Sequence, residues 1–344
     1  MAQPDIRLMR VFCVLHPVVD SDKELDMGNK HHSKLHRNQA NRTGVRRPGL
    51  IHIMFYQITA FVFLLSISAC GKLEIPVENY YDYDLDFPLQ DSVRVVQDTD
   101  IYNMHYVTYV SINNANVTGL LTVPKMVSNP VPVIIFLHGI GDYKDRDYME
   151  QGHQFMVDSS YAVFRIDAAN HGDRKVHDYE YDFVDGYRYR TRNMIAQTVF
   201  DLRRAVDFLK TRPEIDSGRI GFMGISLGGI IGTVFCGVDE RIKVPVIALA
   251  GGGLHLAFKM QAAAEETQIY FSIIDPINFV EKISPRPLLM LNAANDEVVP
   301  PITSKLLYKK AGEPKKIIWY PTRHRKIPQD QVYPEAIRWF KQHL

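Results

Sequence analysis

Cysteine is scarce in this chain. Cys13, Cys70 and Cys236 are the only three in 344 residues, which excludes a disulfide-stapled scaffold. The fold must then rest on a hydrophobic core, and a chain this long, 46% hydrophobic, can bury a large one. An excess of one charge is also missing. Forty Lys and Arg face 39 Asp and Glu, for a net charge of +1. Most of the positive surplus sits in residues 1–53, with nine Lys/Arg against five Asp/Glu, so the remainder is slightly acidic. That balance argues against nucleic acid as a partner. No apolar run is long enough to span a bilayer comfortably; the longest candidate is Ile58–Ala69. No internal repeat is evident. His31, His32 and His36 lack the Cys or carboxylate that would complete a metal site, so they read as part of a polar tail.

What is present centres on Gly224-Ile225-Ser226-Leu227-Gly228, followed by Gly229. An apolar run, Arg219–Met223, precedes it and another, Ile230–Phe235, follows. The order is strand, sharp turn, helix. A serine at such a turn has its side chain pushed out of the backbone, free to attack. Side chains two residues before and after it would collide, and glycines at 224 and 228 remove that collision.

Three further pieces stand in chain order around this turn. Upstream, Val131–Leu137 is a continuous apolar run of the buried-strand type and ends in His138-Gly139-Ile140-Gly141. A glycine-bearing loop there supplies one backbone N–H to an oxyanion, at Ile140, and Leu227 supplies the other. Downstream, Pro287–Pro300 holds a buried strand that runs into a polar turn carrying Asp296. Lys315–Pro321 then leads to a loop with Arg323-His324-Arg325. Ser226, Asp296 and His324 are thus in the order nucleophile, acid, base. Glu297, Asp275 and His343 compete less well. Glu297 points the other way along the turn, Asp275 precedes a helix on the wrong side of the strand, and His343 ends the C-terminal helix Tyr333–Leu344.

On these residues the sequence resembles the α/β-hydrolase superfamily, within it the dienelactone hydrolase and acetyl-esterase-like branch, related to the prolyl oligopeptidase catalytic domain. Asp167–Arg174, Asp216–Ile220 and Asp296–Pro300 carry the resemblance together with the two glycine motifs, and it covers roughly Tyr106–Leu344. It implies a mostly parallel central sheet flanked by helices, with a small lid or none. One departure concerns the base loop, where Thr322-Arg323 stands in place of the family's usual glycine before the histidine.

The remaining elements fit that architecture. His105–Ile112 and Val117–Val123 suggest an antiparallel hairpin at the start of the sheet. Tyr161–Asp167 and Val244–Ala250 read as strands. Ile195, Val199, Leu202, Val206 and Leu209 mark one face of a helix. Asp178–Arg190, dense in Tyr, Asp and Arg, reads as a solvated loop or as an overhang whose rings hold a sugar or an aromatic ester. Leu254–Ile274, with Phe258, Met260 and Tyr270, is either a short helical lid or ordinary core packing.

The N-terminal quarter is organised differently. Residues 1–53 read as an unstructured extension, with Met27 or Met54 as alternative starts. Residues 54–70 contain the apolar stretch and end in Ile67-Ser68-Ala69-Cys70-Gly71, which resembles a bacterial lipobox. The resemblance implies cleavage before Cys70, lipid on its sulfur and a location on a membrane of the cell envelope. With Cys70 so used, no disulfide is available. Residues 71–90 read as a tether and residues 91–344 as the catalytic domain. The expected activity is hydrolysis of a small-molecule carboxylic ester, short-chain or acetyl esters favoured, through an acyl-enzyme, with no metal or organic cofactor. The alternatives are a serine peptidase of prolyl-oligopeptidase type and a catalytically silent binding lipoprotein.

Overall fold

Alternate residues of the buried strands feed two different hydrophobic cores, one on each face of a central sheet. In β4 (Val131–Leu137), Val131, Val133, Ile135 and Leu137 pack into one core, while Ile134 and Phe136 pack into the other. Successive side chains of a strand point to opposite faces. A strand covered on both faces therefore needs apolar residues at every position, which accounts for the unbroken run. β8 (Leu288–Ala293) divides the same way, Leu288 and Met290 to one side, Leu289 and Leu291 to the other.

The computed structural model describes residues 77–125, 130–176, 181–183, 188–257 and 265–344, all within one unit, Leu73–Leu344. The other strands are β1 (Ser92–Asp98), β2 (Tyr102–Val110), β3 (Asn116–Pro124), β5 (Ala162–Ile166), β6 (Ile215–Ile225), β7 (Ile242–Ala248) and β9 (Lys315–Tyr320). Their order in the sheet is β1-β2-β3-β5-β4-β6-β7-β8-β9. The first three and the β3–β5 pair are antiparallel; the rest are parallel. One face carries α2 (Arg188–Lys210) and α3 (Leu227–Val238), the other α1 (Asp147–Asp158) and α7 (Gln329–His343). The shorter helices are α4 (Leu254–Ala257), α5 (Glu265–Phe271) and α6 (Pro301–Lys310).

The helical face read at Ile195, Val199, Leu202, Val206 and Leu209 is fully buried in α2. The hairpin appears as β2 and β3, paired in continuous register. Two boundaries differ. β1 went unread because all seven of its residues are exposed, so no buried face imposes alternation. The C-terminal helix begins at Gln329, one turn before the expected Tyr333. Pro334 falls in its second turn, whereas the sequence suggests a proline nearer the helix start.

The expected tether at residues 71–90 is corrected from Val77 onward. Val77–Tyr81 forms a 3₁₀ turn, and Tyr81 is fully buried with its hydroxyl donating to Ile273 O at 2.6 Å. Tyr83 donates to Asp207 at 2.8 Å, and Arg204 donates to Phe87 O at 2.6 Å. A phenol buries a large apolar ring once its hydroxyl finds an acceptor. Tyrosines among acidic residues therefore serve as anchors here rather than as a solvated linker.

Among the described residues, three buried imidazoles resist protonation. His138 is held down to about 4, by burial first and then by the neighbouring His171. His153 is held down to about 3 by burial and then the Arg165 charge. His171 is lowered too, mainly by burial. An unfolded chain protonates these rings near 6.5, while the folded chain resists until lower pH. Between those limits the unfolded state binds more protons, so stability is lost as pH falls from about 6.5 toward 4. Urea unfolding midpoints should drop over that window, and His153→Gln should flatten the slope while leaving the midpoint at pH 8 less affected.

Candidate active site

Ser226 sits between the carboxyl end of β6 and the first turn of α3 with φ 56° and ψ −117°. That conformation is sparsely populated for an L-residue and costs roughly 1–3 kcal/mol. The surroundings impose it. Ser226 N–H donates to Ala248 O at 2.9 Å, and Ser226 O accepts from the N–H groups of Gly229 and Ile230. The turn is so tight that a Cβ on Gly224 would lie 2.2 Å from Gly228 O, and one on Gly228 would lie 2.4 Å from Leu137 O. Only glycine fits at either place.

The other two residues arrive from neighbouring strand ends. Asp296 follows β8 and His324 follows β9. His324 Nε2 lies 3.0 Å from Ser226 Oγ, and its Nδ1 lies 2.7 Å from Asp296 Oδ2. Asp296 Oδ1 accepts from the N–H groups of Val298 and Val299 at 2.9 and 2.7 Å, which fixes the carboxylate plane. Asp296 and His324 are both buried, whereas Ser226 is half-buried at the floor of an opening. The structure thus brings together the three side chains picked out in the sequence, although 98 residues separate the serine and the histidine.

Of the competing acids, Glu297 binds the backbone: its Oε2 accepts His324 N–H at 3.1 Å and holds the base loop in place. Asp275 accepts from Gly253, Leu254 and Ile277 N–H and caps a turn. His343 packs at a tilt against Trp339 at the end of α7. The departure at Thr322-Arg323 has a simple resolution. Arg323 is extended, at φ −92° and ψ 166°, so the position before the histidine does not require glycine.

The N–H of Leu227 opens α3, where the helix dipole favours negative charge. Ile140 lies in the loop after β4. Among the described residues neither N–H is taken by another group. Both residues flank a pocket of about 260 Å³ or its serine. Ser226, His324, Ile140 and Val298 line it, with Asp142, Arg146, Tyr148, Arg325 and Gln329 adding polar groups. The loop after β4 is pinned farther along: Lys144 N–H and Nζ donate to Asp167 at 2.9 and 2.7 Å, and Nζ also reaches Asp173. This gives the Asp167–Arg174 stretch its use as an anchor for the loop over the site.

Tyr148 and Asp142 escaped the sequence reading because nothing in spacing or residue type distinguishes them from surface polar residues; Glu297 was weighed only as a competing acid, not as a tie for the loop of His324. The expected lid lies only partly within the described residues. Phe258 and Met260 fall outside them, while Tyr270 is fully buried and packs on Tyr189 and Phe271. No described residue of Leu254–Ile274 lines the pocket. Within Asp178–Arg190, Tyr181 stacks on His171 at 4.8 Å and donates to Asn170 O; residues 178–180 and 184–187 are outside the description. Among the described residues no group of three or more His, Cys, Asp or Glu is placed to hold a metal ion.

Comparison with known proteins places this geometry in context. The chain is similar to the putative hydrolase YtaP of Bacillus subtilis (strain 168), 27% identical over 193 residues, 52% of this chain and 64% of that protein. It is 22% identical over 276 residues to the acetyl esterase Axe7A of Xylanibacter ruminicola, 72% of this chain and 60% of that protein. It thus spans less than two thirds of the length of these two relatives. Among solved structures, an acetyl xylan esterase from Paenibacillus sp. R4 superposes with a TM-score of 0.64 at 21% identity, over 78% of this chain and 92% of that one. That likeness establishes the α/β-hydrolase fold. The profile of the acetyl xylan esterase (AXE1) family matches residues 74–250, from the buried tyrosine anchor through the serine turn and on past β7, and the chain belongs to that family.

Proposed function

We propose that this chain is a serine hydrolase of carboxylic esters that works through an acyl-enzyme and favours acetyl and other short acyl groups. The observation that carries the proposal is the continuous hydrogen-bonded line from Asp296 through His324 to Ser226 at 2.7 and 3.0 Å, on a serine held at positive φ. A hydroxyl is a weak nucleophile at neutral pH. His324 Nε2 takes its proton as Ser226 Oγ bonds to the ester carbonyl carbon, and the carbonyl π pair moves to oxygen. The resulting oxyanion is held by the N–H groups of Leu227 and Ile140, each such donor being worth about 3 kcal/mol of barrier. Collapse expels the alcohol, which receives the proton from His324. Water, deprotonated by the same imidazole, then releases the carboxylic acid. Asp296 orients the ring and stabilises its cationic form.

The pocket, at about 260 Å³, lies just below the usual range for drug-sized ligands, which supports a small ester as substrate. Asp142, Arg146, Tyr148 and Gln329 at its wall offer donors and acceptors of the kind that fit an alcohol bearing further hydroxyls. An acetylated carbohydrate is consistent with that wall and with the names of the family and of Axe7A.

The location is likewise proposed from sequence. Ile67–Gly71 lies outside the described residues, and its likeness to a lipobox supports a lipid-modified Cys70 on a membrane surface. No described helix is long and apolar enough to cross a membrane. Two or more acyl chains anchor a protein stably, where one binds only marginally.

A fluorophosphonate probe should label the wild-type chain and fail to label a folded Ser226→Ala variant; equal labelling would reject Ser226 as nucleophile. His324→Ala and Asp296→Ala should each lower ester turnover on the order of 10⁴-fold, with Glu297→Ala costing far less. A series of 4-nitrophenyl esters should show kcat/KM highest at acetyl to butyryl and falling steeply by octanoyl. Mass spectrometry of the mature N-terminus in a bacterial host should find an acylated Cys70; an unprocessed chain beginning upstream would reject the anchor.

A further inference from the structure

The loop that carries Ile140 is a four-residue turn. Asp142 N–H donates to Gly139 O at 3.3 Å, and Gly141 at the third position has φ +75°, the mark of a type II turn. Gly139 O has a second partner, His138 Nδ1, at 2.7 Å. His138 Nε2 accepts Ala168 N–H at 3.1 Å, so the ring proton sits on Nδ1 and Nδ1 donates. A trans peptide holds its C=O and N–H in opposite directions. Two donors on Gly139 O therefore turn the Ile140 N–H the other way, and Ile140 borders the pocket with Ser226.

This peptide is only as steady as Gly139, whose backbone is intrinsically the freest of any residue. Its own N–H is buried and donates to the Tyr148 hydroxyl at 2.8 Å. The same hydroxyl donates to Asp142 Oδ2 at 3.1 Å. One phenol thus spans the turn, from the N–H of its first residue to the side chain of its last. Tyr148 is itself fixed, because Tyr333 Oη donates to its backbone carbonyl at 2.6 Å. It also stands close to the chemistry. A Cβ built on Gly139 would lie 3.5 Å from both Ser226 Cβ and Tyr148 Oη. Burial raises the phenol above its usual range, which keeps it a neutral donor.

We propose that Tyr148 is the positioning residue of the oxyanion site: its hydroxyl locks Gly139 so that the Ile140 N–H stays aimed at the developing negative charge. This rests on the ester-hydrolase reading above. An oxyanion bond is made chiefly in the transition state, so a loosened donor lowers kcat and leaves substrate binding nearly intact.

The test is Tyr148→Phe, which removes one oxygen and keeps the ring. For 4-nitrophenyl acetate, kcat should fall roughly 10- to 100-fold, below the loss of a whole donor, with KM within about threefold. The inhibition constant of phenylboronic acid, which forms a tetrahedral adduct on the serine, should rise by a similar factor. Fluorophosphonate labelling of Ser226 should still reach full stoichiometry, only more slowly. An active wild type with an unchanged kcat in the folded variant overturns the proposal, as does a loss confined to KM. A wild type that neither turns over esters nor takes the probe overturns the hydrolase reading and this one with it. Should the variant fail to fold, Asp142→Ala removes the hydroxyl's acceptor on a partly exposed loop. It should give the same kcat loss in smaller measure, and an unchanged kcat there is again decisive against the proposal.

Discussion

The site depends on a single close approach, the packing of Gly228 against the carbonyl of Leu137 and of Gly224 against Gly228. With no Cβ at either glycine, α3 can begin within van der Waals reach of the strand beside it. The serine between them is left with one conformation, at positive φ. Its hydroxyl is pushed toward the strand ends, and the Leu227 N–H at the helix start lies beside it. Strain of this kind persists only where the surroundings over-determine it. Here they do so through the three backbone hydrogen bonds at Ser226 and through the two cores on either face of β6.

Everything else at the site is brought to that point by the parallel sheet. β4, β6, β8 and β9 end on the same edge, so loops far apart in sequence meet there. Open parallel sheets place their binding crevices beyond the carboxyl ends of their strands for this reason. Each loop is then tied by its own backbone bonds. Asp296 collects two N–H groups, Glu297 holds the amide of His324, and the Gly139–Asp142 turn is clasped by His138 and Tyr148. The side chains at the site are therefore set in place by the fold itself, and under the proposed mechanism such preorganised hydrogen bonds lower the barrier.

The sequence shows the parts of this arrangement that leave a local mark. Buried parallel strands read as unbroken apolar runs because both faces are covered, and the observed bounds of β4 coincide with such a run. The serine turn reads directly because steric necessity writes glycine on both sides of it. Asp296 and His324 are legible only through their order and their position after strands, since an Asp or His in a loop has no pattern of its own. β1 was silent because it is exposed on both faces, and the Tyr81 anchor was hidden among acidic residues that look solvated.

Sequence by itself determined the fold class, the serine turn and the chain order of the Asp and His that meet it, because hydrophobic periodicity and steric exclusion act over a few neighbouring residues. Only the tertiary structure decided which polar residues surround them. Tyr148 and Glu297 differ in no local way from other surface tyrosines and glutamates of this chain. Their meaning comes from a hydrogen bond to a buried glycine amide and another to the amide of the base, across separations of nine and 27 residues. Such bonds depend on where the sheet sets its loops down, and no short stretch of sequence carries that information.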